Sequence, residues 1–325
     1  MPVQTIDHRS RGVTSAVITV EHLCKRYGEV VAVNDLSFDV RPGMVTGFLG
    51  PNGAGKSTTM RMILGLDRPT DGRATIGGMQ YAEFDWPLRH VGALLDAKAF
   101  NPSLPIRTNL RILATTNRIP VTRVDAVLDL VGLSDAAGMK VRTCSLGMTQ
   151  RMGLAAALMG DPEVVMLDEP VNGLDPDGVL WIRQLMRSLA DEGRTVFLSS
   201  HLMSEMEQTA DHLVIIGGGR LLADAPLDEF MKSQSGHHVT VRTHAADALA
   251  AQLARHGASI TCADPSRLEV TDLDAEEIGK IAAAEQIALI ELRDERTTLE
   301  QAYMRLTRDE SQFSSPTREL VGSVR

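Results

Sequence analysis

The sequence has few cysteines and no long apolar run, and both absences restrict what the chain can be. Its three cysteines, Cys24, Cys144 and Cys262, are widely spaced and match no metal-ligand pattern. An odd number of scattered thiols is typical of a protein kept in a reducing cytosol. No window approaches the roughly 18 apolar residues of a membrane-spanning helix, and the first 17 residues contain no signal-peptide core. We therefore expect a soluble protein.

Concentrated positive charge is also missing. The 33 lysine and arginine residues are outnumbered by 42 aspartate and glutamate residues, so the net charge is −9. A protein that binds nucleic acid normally carries a basic domain or stripe. The acidic balance argues against a nucleic-acid partner.

The sequence does contain a phosphate-binding loop, FLGPNGAGKSTTM, between Phe48 and Met60. Its centre fits the pattern G-x-x-x-x-G-K-[ST], in which glycines let successive backbone N–H groups turn toward phosphate oxygens. Lys56 adds a positive charge near the outer phosphates, and the Ser57 hydroxyl is placed to ligate Mg²⁺ where a helix begins. The alternative is a glycine-rich turn that binds nothing; the apolar run before the loop and the helical spacing after it favour phosphate binding. The predicted nucleotide-binding residues here are Asn52, Gly53, Ala54, Gly55, Lys56, Ser57 and Thr58.

Strand and helix patterns alternate along most of the chain. This alternation predicts an α/β domain with a mostly parallel sheet over residues 17–233, interrupted by a helical subdomain at about 96–151. Residues 1–16 and 308–325 are predicted to be flexible ends. The order β-α-β-β-α-β predicts a small ferredoxin-like α+β domain over residues 236–307.

Two carboxylates follow a second buried strand, in the segment VVMLDEP. Asp168 is placed to hold the magnesium ion, and Glu169 is placed to polarise a water molecule for attack on the γ-phosphate. If the chain had no phosphate loop, these two carboxylates could equally be an ordinary acidic end of a strand. No Asn-Lys-x-Asp sequence occurs, which weakens a GTPase interpretation.

These segments together resemble the nucleotide-binding subunit of an ATP-binding cassette (ABC) transporter, and the resemblance runs from about Val17 to Phe230. The segment CSLGMTQRMGLAAALMGDPEVVMLDEP carries the family signature at Ser145 and Gly147. NGLDP carries the D-loop with Asp175, and His201 after TVFLSS matches the switch histidine. Tyr27 matches the aromatic residue that stacks on adenine, although such a tyrosine often only packs, and Asp175 could equally cap a local turn.

The resemblance implies a P-loop NTPase core. It also implies a homodimer, or a pair with another nucleotide-binding subunit, that binds two ATP molecules with Mg²⁺. In this family Ser145 and Gly147 would bind the γ-phosphate held by the other subunit, and Glu169, His201 and Lys56 would form the catalytic set. It also implies a separate transmembrane permease, with the subunit on the cytoplasmic face of the membrane and its helical subdomain as the docking surface. The most similar branch of the family exports drugs and antibiotics.

Three positions depart from the family pattern. Asp96 stands where the Q-loop normally has glutamine, and its carboxylate could ligate magnesium or repel phosphate. In the signature, Leu146 replaces a glycine and Met148 replaces a glutamine. Ser57 replaces the commoner threonine and should be neutral, because either hydroxyl reaches the metal.

Two competing functions remain open at this point. A non-transporting cassette ATPase that acts on DNA or ribosomes usually carries a long coiled-coil insertion or two cassettes, and this chain has neither. A regulatory module that has lost turnover is disfavoured by the intact Lys56, Asp168, Glu169 and His201. The small C-terminal domain shows no catalytic constellation; a dimer-supporting or packing role is favoured over a ligand sensor.

Overall fold

The structure is a computed structural model that describes residues 17–96, 99–234, 238–264, 266–294, 298–304 and 306. The predicted flexible ends, 1–16 and 308–325, lie outside the described residues. The chain divides into two compact units, Met1–Leu227 and Asp228–Arg325. The predicted domain boundary, at residues 233–236, lies a few residues after this division.

A six-stranded sheet forms the centre of the first unit, in the order β5-β6-β7-β3-β8-β9. All neighbouring strands are parallel except the pair β8 and β9. The five parallel strands are largely apolar and buried, as expected for a parallel sheet covered on both faces, whereas the antiparallel edge strand β9 is only partly buried. Their bounds are Met44–Leu49 (β3), Val91–Leu94 (β5), Val164–Asp168 (β6), Thr195–Ser200 (β7), His212–Gly217 (β8) and Arg220–Pro226 (β9).

A smaller antiparallel sheet in the same unit has the order β2-β1-β4. It comprises β1 (Ile18–Tyr27), β2 (Val30–Val40) and β4 (Asp71–Ile76). Phe38 on β2 packs against Phe48 and Phe197 of the central sheet, with ring centroids 5.6 and 5.9 Å away. These three buried rings lie in a core that both sheets share, which fixes the end of β3 from which the phosphate loop starts.

Helices accompany the central sheet and form a separate cluster between β5 and β6. The bounds are Lys56–Ile63 (α1), Ile106–Thr116 (α2), Thr122–Leu130 (α3), Leu146–Ala157 (α4), Pro176–Asp191 (α5) and Met203–Thr209 (α6). The next helix, α7 (Leu227–Gln234), belongs to the second unit except for its first residue. Helix α2 buries Ile106, Leu110 and Ala114, which recur every four residues on one face. The helical cluster thus occupies the predicted subdomain, and α4 continues six residues past its predicted end at residue 151.

After α7, the described part of the second unit contains four antiparallel strands in the order β11-β12-β10-β13, the helices α8 and α9, and a helical stretch at residues 299–304. The elements are β10 (His238–Thr243), α8 (Ala246–Arg255), β11 (Ser259–Asp264), β12 (Arg267–Thr271), α9 (Ala275–Ala284) and β13 (Leu289–Asp294), so they follow one another as β-α-β-β-α-β. Val241, Leu268 and Leu249 belong to a separate hydrophobic core. Among the described helices, none is both long and apolar enough to cross a membrane.

Candidate functional site

Four neighbouring parallel strands end at the same edge of the central sheet. The phosphate loop follows β3, Glu169 follows β6, His201 follows β7, and Asp96 lies two residues beyond β5. In open α/β sheets ligands bind at the carboxyl ends of strands. The fold therefore brings four separately predicted segments to one edge of the sheet.

Glycines with positive φ shape the phosphate loop. Gly53 has φ +82° and Gly55 has φ +105°, a backbone region that residues with side chains rarely adopt. A Cβ atom at Gly55 would lie 2.5 Å from the backbone oxygen of Ala32, so this position also has no room for a side chain. Asn52 and Gly53 are exposed, Ala54 is buried, and Ser57 is exposed where α1 begins. The loop thus leaves its first residues and the Ser57 hydroxyl accessible.

Lys56 lies beneath the loop and is only 7% exposed. Its Nζ donates hydrogen bonds to the backbone oxygens of Gly50, at 2.6 Å, and Pro51, at 3.3 Å. Burial lowers the pKa of the ammonium group, while the nearby charges of Glu169 and Asp168 raise it in part. The lysine therefore holds the loop in shape and keeps a cation close to both carboxylates.

Glu169 has an unusual backbone conformation that is held by four hydrogen bonds. Its φ is +51°, although it is not a glycine. Its N–H donates to the backbone oxygen of Ser199 at 3.2 Å and to the Ser199 hydroxyl at 3.1 Å. Its carbonyl accepts from the Gln150 amide at 3.2 Å and from the Asn172 N–H at 3.2 Å. Strained backbone at the end of a strand is typical of functional sites, because the surrounding bonds must maintain it.

The side chains of Glu169 and His201 contact each other directly. Oε2 of Glu169 lies 2.7 Å from Nδ1 of His201, although the residues are 32 positions apart in the chain. The neighbouring Asp168 carboxylate accepts a hydrogen bond from the Ser199 hydroxyl. The Ser199 hydroxyl therefore joins the Asp168 carboxylate to the backbone N–H of Glu169, and sequence reasoning missed it. The only available signal was its place in TVFLSSH, two residues before His201.

The signature segment lies against the D-loop. Ser145 caps α4, with its hydroxyl accepting from the Met148 N–H at 3.2 Å. A Cβ atom at Gly147 would lie 3.1 Å from the backbone oxygen of Gly173. Asp175 caps α5 by accepting from the Gly178 N–H at 2.9 Å. Of the two predicted roles of Asp175, the turn cap is thus present, and a role at the nucleotide stays a prediction.

Tyr27 is 49% exposed at the end of β1. Its hydroxyl donates to Asp67 at 3.1 Å, and the Lys25 ammonium lies 4.9 Å from its ring centroid. Burial of the hydroxyl and its bond to Asp67 raise the Tyr27 pKa. Asp96 is exposed, and its backbone oxygen accepts from the Ala99 N–H at 3.3 Å. Both side chains are accessible to a ligand.

Comparisons with known proteins agree with this geometry. A family profile described as "ABC transporter" matches residues 33–172. A second, described as "Domain of unknown function (DUF8746)", matches residues 237–300. The chain is similar to the bacitracin transport ATP-binding protein BcrA of Bacillus licheniformis, with 43% identity over 67% of this chain and 72% of the relative. It is also similar to the lantibiotic transport ATP-binding protein SrtF of Streptococcus pyogenes, with 33% identity over 65% of this chain and 92% of the relative.

A solved structure of an ATP-binding subunit of an ABC transporter superimposes with a TM-score of 0.62. It shares 26% identity and covers 67% of this chain and 92% of its own. The expected P-loop NTPase core is therefore confirmed. The chain belongs to the ATP-binding cassette family and is an ATP-binding, ATP-hydrolysing subunit of an ABC transporter.

Proposed function

We propose that this subunit powers the export of a peptide antibiotic or a similar drug-like compound through a separate membrane permease, from the cytoplasmic face of the membrane. The proposal is supported by the similarity to proteins named for bacitracin and lantibiotic transport. The observation that carries the catalytic part is the contact between Glu169 and His201 at the sheet edge where the phosphate loop also begins.

ATP binding depends on three groups of residues. Backbone N–H groups of residues 52–58 surround the phosphates, and Lys56 moves from its carbonyl partners to the β- and γ-phosphate oxygens. The ring of Tyr27 stacks on adenine through its exposed face. Mg²⁺ fits the donors present, since this ion takes one or two carboxylates together with substrate phosphates and water. Ser57 and Asp168 would hold it, with Asp96 as a further oxygen donor.

Hydrolysis needs a base, and Glu169 is the candidate. Its carboxylate accepts a proton from a water molecule, whose oxygen forms a bond to the γ-phosphorus while the bond from that phosphorus to the bridging oxygen of ADP breaks. His201 holds the Glu169 carboxylate through its Nδ1, and its other nitrogen would face the γ-phosphate. The Ser199 hydroxyl fixes Asp168 beside it.

Two copies of the chain complete the site. Ser145 and Gly147 lie at the amino end of α4, where helix N–H groups favour an anion. In the proposed dimer they bind the γ-phosphate carried by the partner subunit. The helical subdomain would contact the permease. We also propose that the second unit is a ferredoxin-like domain, because its strand order and connections fit that topology.

The Glu169→Gln variant tests this proposal. Loss of the base should slow hydrolysis by about 10²-fold or more, and ATP that is not hydrolysed should then hold two chains together. Size-exclusion chromatography with ATP and Mg²⁺ should show a dimer for this variant. The Glu169→Gln variant that also carries Ser145→Arg should remain mainly monomeric, because the arginine fills the clamp.

Three results would contradict separate parts of the proposal. If the Glu169→Gln variant hydrolyses ATP at the original rate, Glu169 is not the catalytic base. A Glu169→Gln protein that binds ATP and stays monomeric would contradict the shared interface. Purification of the tagged chain from membranes should recover a permease with several apolar segments, and recovery without such a protein would contradict the transport role.

A further inference from the structure

A cleft of about 470 Å³ lies at the amino ends of β5 and β6, the end of the sheet opposite the phosphate loop. Its apolar lining includes Met79, Phe84 and Trp86, and its polar lining includes Asp85 and Glu163. The cleft shares no lining residue with the nucleotide site. A concave apolar surface with a few charged groups is the usual form of a small-molecule site.

Trp86 has a strained backbone in this cleft. Its φ is 58° and its ψ is 61°, a left-handed conformation that is rare for bulky residues, and Pro87 follows it. The Arg118 guanidinium lies 4.4 Å from the Trp86 ring centroid. Arg89 donates a hydrogen bond to the backbone oxygen of Arg118. The strained tryptophan is thus held against the loop between α2 and α3, with its ring already stacked on a cation.

The charge of the lining favours a positive ligand. Three carboxylates, Glu83, Asp85 and Glu163, line the cleft with one guanidinium, Arg89, and a second guanidinium, Arg118, lies over the Trp86 ring. These five groups together leave a net charge of −1. Glu83 accepts from the Gln80 N–H at 2.6 Å. Within the described part of the chain, the carboxylates of Asp85 and Glu163 have no hydrogen-bond or ion-pair partner. Both carboxylates are half-buried or exposed, and both lie beside aromatic rings. Groups of this kind bind an organic ammonium ion.

We propose that this cleft binds a small organic cation with an aromatic or aliphatic body. The apolar part of the ligand would lie against Phe84, Met79 and Trp86. Its ammonium group would lie near Asp85 and Glu163. This binding site is additional to the proposed function and does not depend on ATP hydrolysis or on a dimer.

The chain offers a direct reporter, because it has only two tryptophans, Trp86 and Trp181. In the full-length Trp181→Phe variant, emission comes from Trp86 alone. We expect a saturable change of that emission with benzyltrimethylammonium, measured without nucleotide at physiological salt. Benzylsulfonate has the same aromatic body and the opposite charge, and it should give no saturable change.

Substitutions in the cleft distinguish binding of the cation at this site from a general attraction of the cation to an acidic protein. The double change Asp85→Asn and Glu163→Gln, in the same background, should raise the dissociation constant for the cation by about tenfold. Glu285→Gln, on the second unit, removes one exposed carboxylate outside the cleft and should leave the constant unchanged. Circular dichroism shows whether each variant is folded. Calorimetry on Trp86→Phe should also show weaker binding.

Three results would overturn the proposal. The first is saturation by benzylsulfonate at the same concentrations as the cation. The second is an unchanged dissociation constant in a folded Asp85→Asn, Glu163→Gln variant. The third is no saturable signal with the cation by either fluorescence or calorimetry. All three leave the nucleotide site and its dimer test unaffected, because the measurements contain no ATP.

Discussion

At the scale of single residues, Lys56 has the clearest testable role. It is buried, and its present partners are two backbone oxygens of the loop. The Lys56→Ala variant should lose the main cation facing the β- and γ-phosphates. Since a hydrogen bond to a charged group contributes about 1.5–3 kcal/mol, ATP affinity should fall by about 10- to 100-fold.

Titration with a fluorescent ATP analogue measures this effect. Lys280→Ala is the control, because Lys280 is an exposed lysine on α9 of the second unit. Unchanged affinity in Lys56→Ala would refute the assignment of the phosphate loop.

Asp96 presents a second residue-scale question. It is exposed, and it lies beside the strand that carries Asp168, at the same sheet edge. If its carboxylate ligates magnesium, Asp96→Gln should need more Mg²⁺ for half-maximal ATPase activity, because a neutral amide binds the ion more weakly. Asp129→Asn, on α3, changes an exposed carboxylate away from this edge and serves as the control. An identical magnesium dependence in Asp96→Gln would show that Asp96 takes no part.

At the scale of elements, the contact between the signature and the D-loop depends on a glycine. Gly173 has φ +78°, and a Cβ atom there would lie 2.4 Å from Cδ2 of Leu146. Gly173→Ala should therefore displace the signature, and we expect the ATPase rate to fall by about tenfold while ATP binding through the phosphate loop remains.

Gly193→Ala is the matched control for this change. Gly193 has a similar φ, +87°, with no atom within 4 Å of the added Cβ, and it follows α5 away from the site. Both alanines should cost about 1 kcal/mol of stability from backbone strain alone. Equal ATPase rates in the two variants would show that the contact with Leu146 is unimportant.

The sequence predicted elements better than it predicted contacts between them. The phosphate loop and the strand before Asp168 were readable because apolar runs and glycine spacing are local signals. The family resemblance and the positions of the strands predicted that His201 and Glu169 lie at the same edge of the sheet. The roles of Ser199 and Gln150 depend on strand pairing and helix placement. Hydrogen bonds between residues 19 or 30 positions apart leave no periodic pattern in a sequence.

The strained backbone of Trp86 could not be predicted from the sequence either, since residues before proline usually avoid that conformation.

At the scale of the whole molecule, the two units have separate hydrophobic cores. The core of the first unit includes Phe48 and Phe197, and that of the second includes Val241 and Leu268. Every nucleotide-binding residue proposed above belongs to the first unit, and so do both tryptophans, Trp86 and Trp181. Tryptophan fluorescence therefore reports on unfolding of the first unit, whereas far-ultraviolet circular dichroism reports on both.

This difference gives a test of the division. We expect thermal unfolding followed by circular dichroism to show two transitions, of which tryptophan fluorescence detects one. ADP with Mg²⁺ at about 100 times its dissociation constant should stabilise the unit that binds it by about 2.7 kcal/mol. The nucleotide should therefore raise the midpoint of the fluorescence-detected transition and leave the other unchanged. In the Lys56→Ala variant, the same nucleotide concentration should raise the midpoint of the fluorescence-detected transition far less. A single transition, coincident by both methods and shifted as a whole, would mean that the two cores unfold as one cooperative unit.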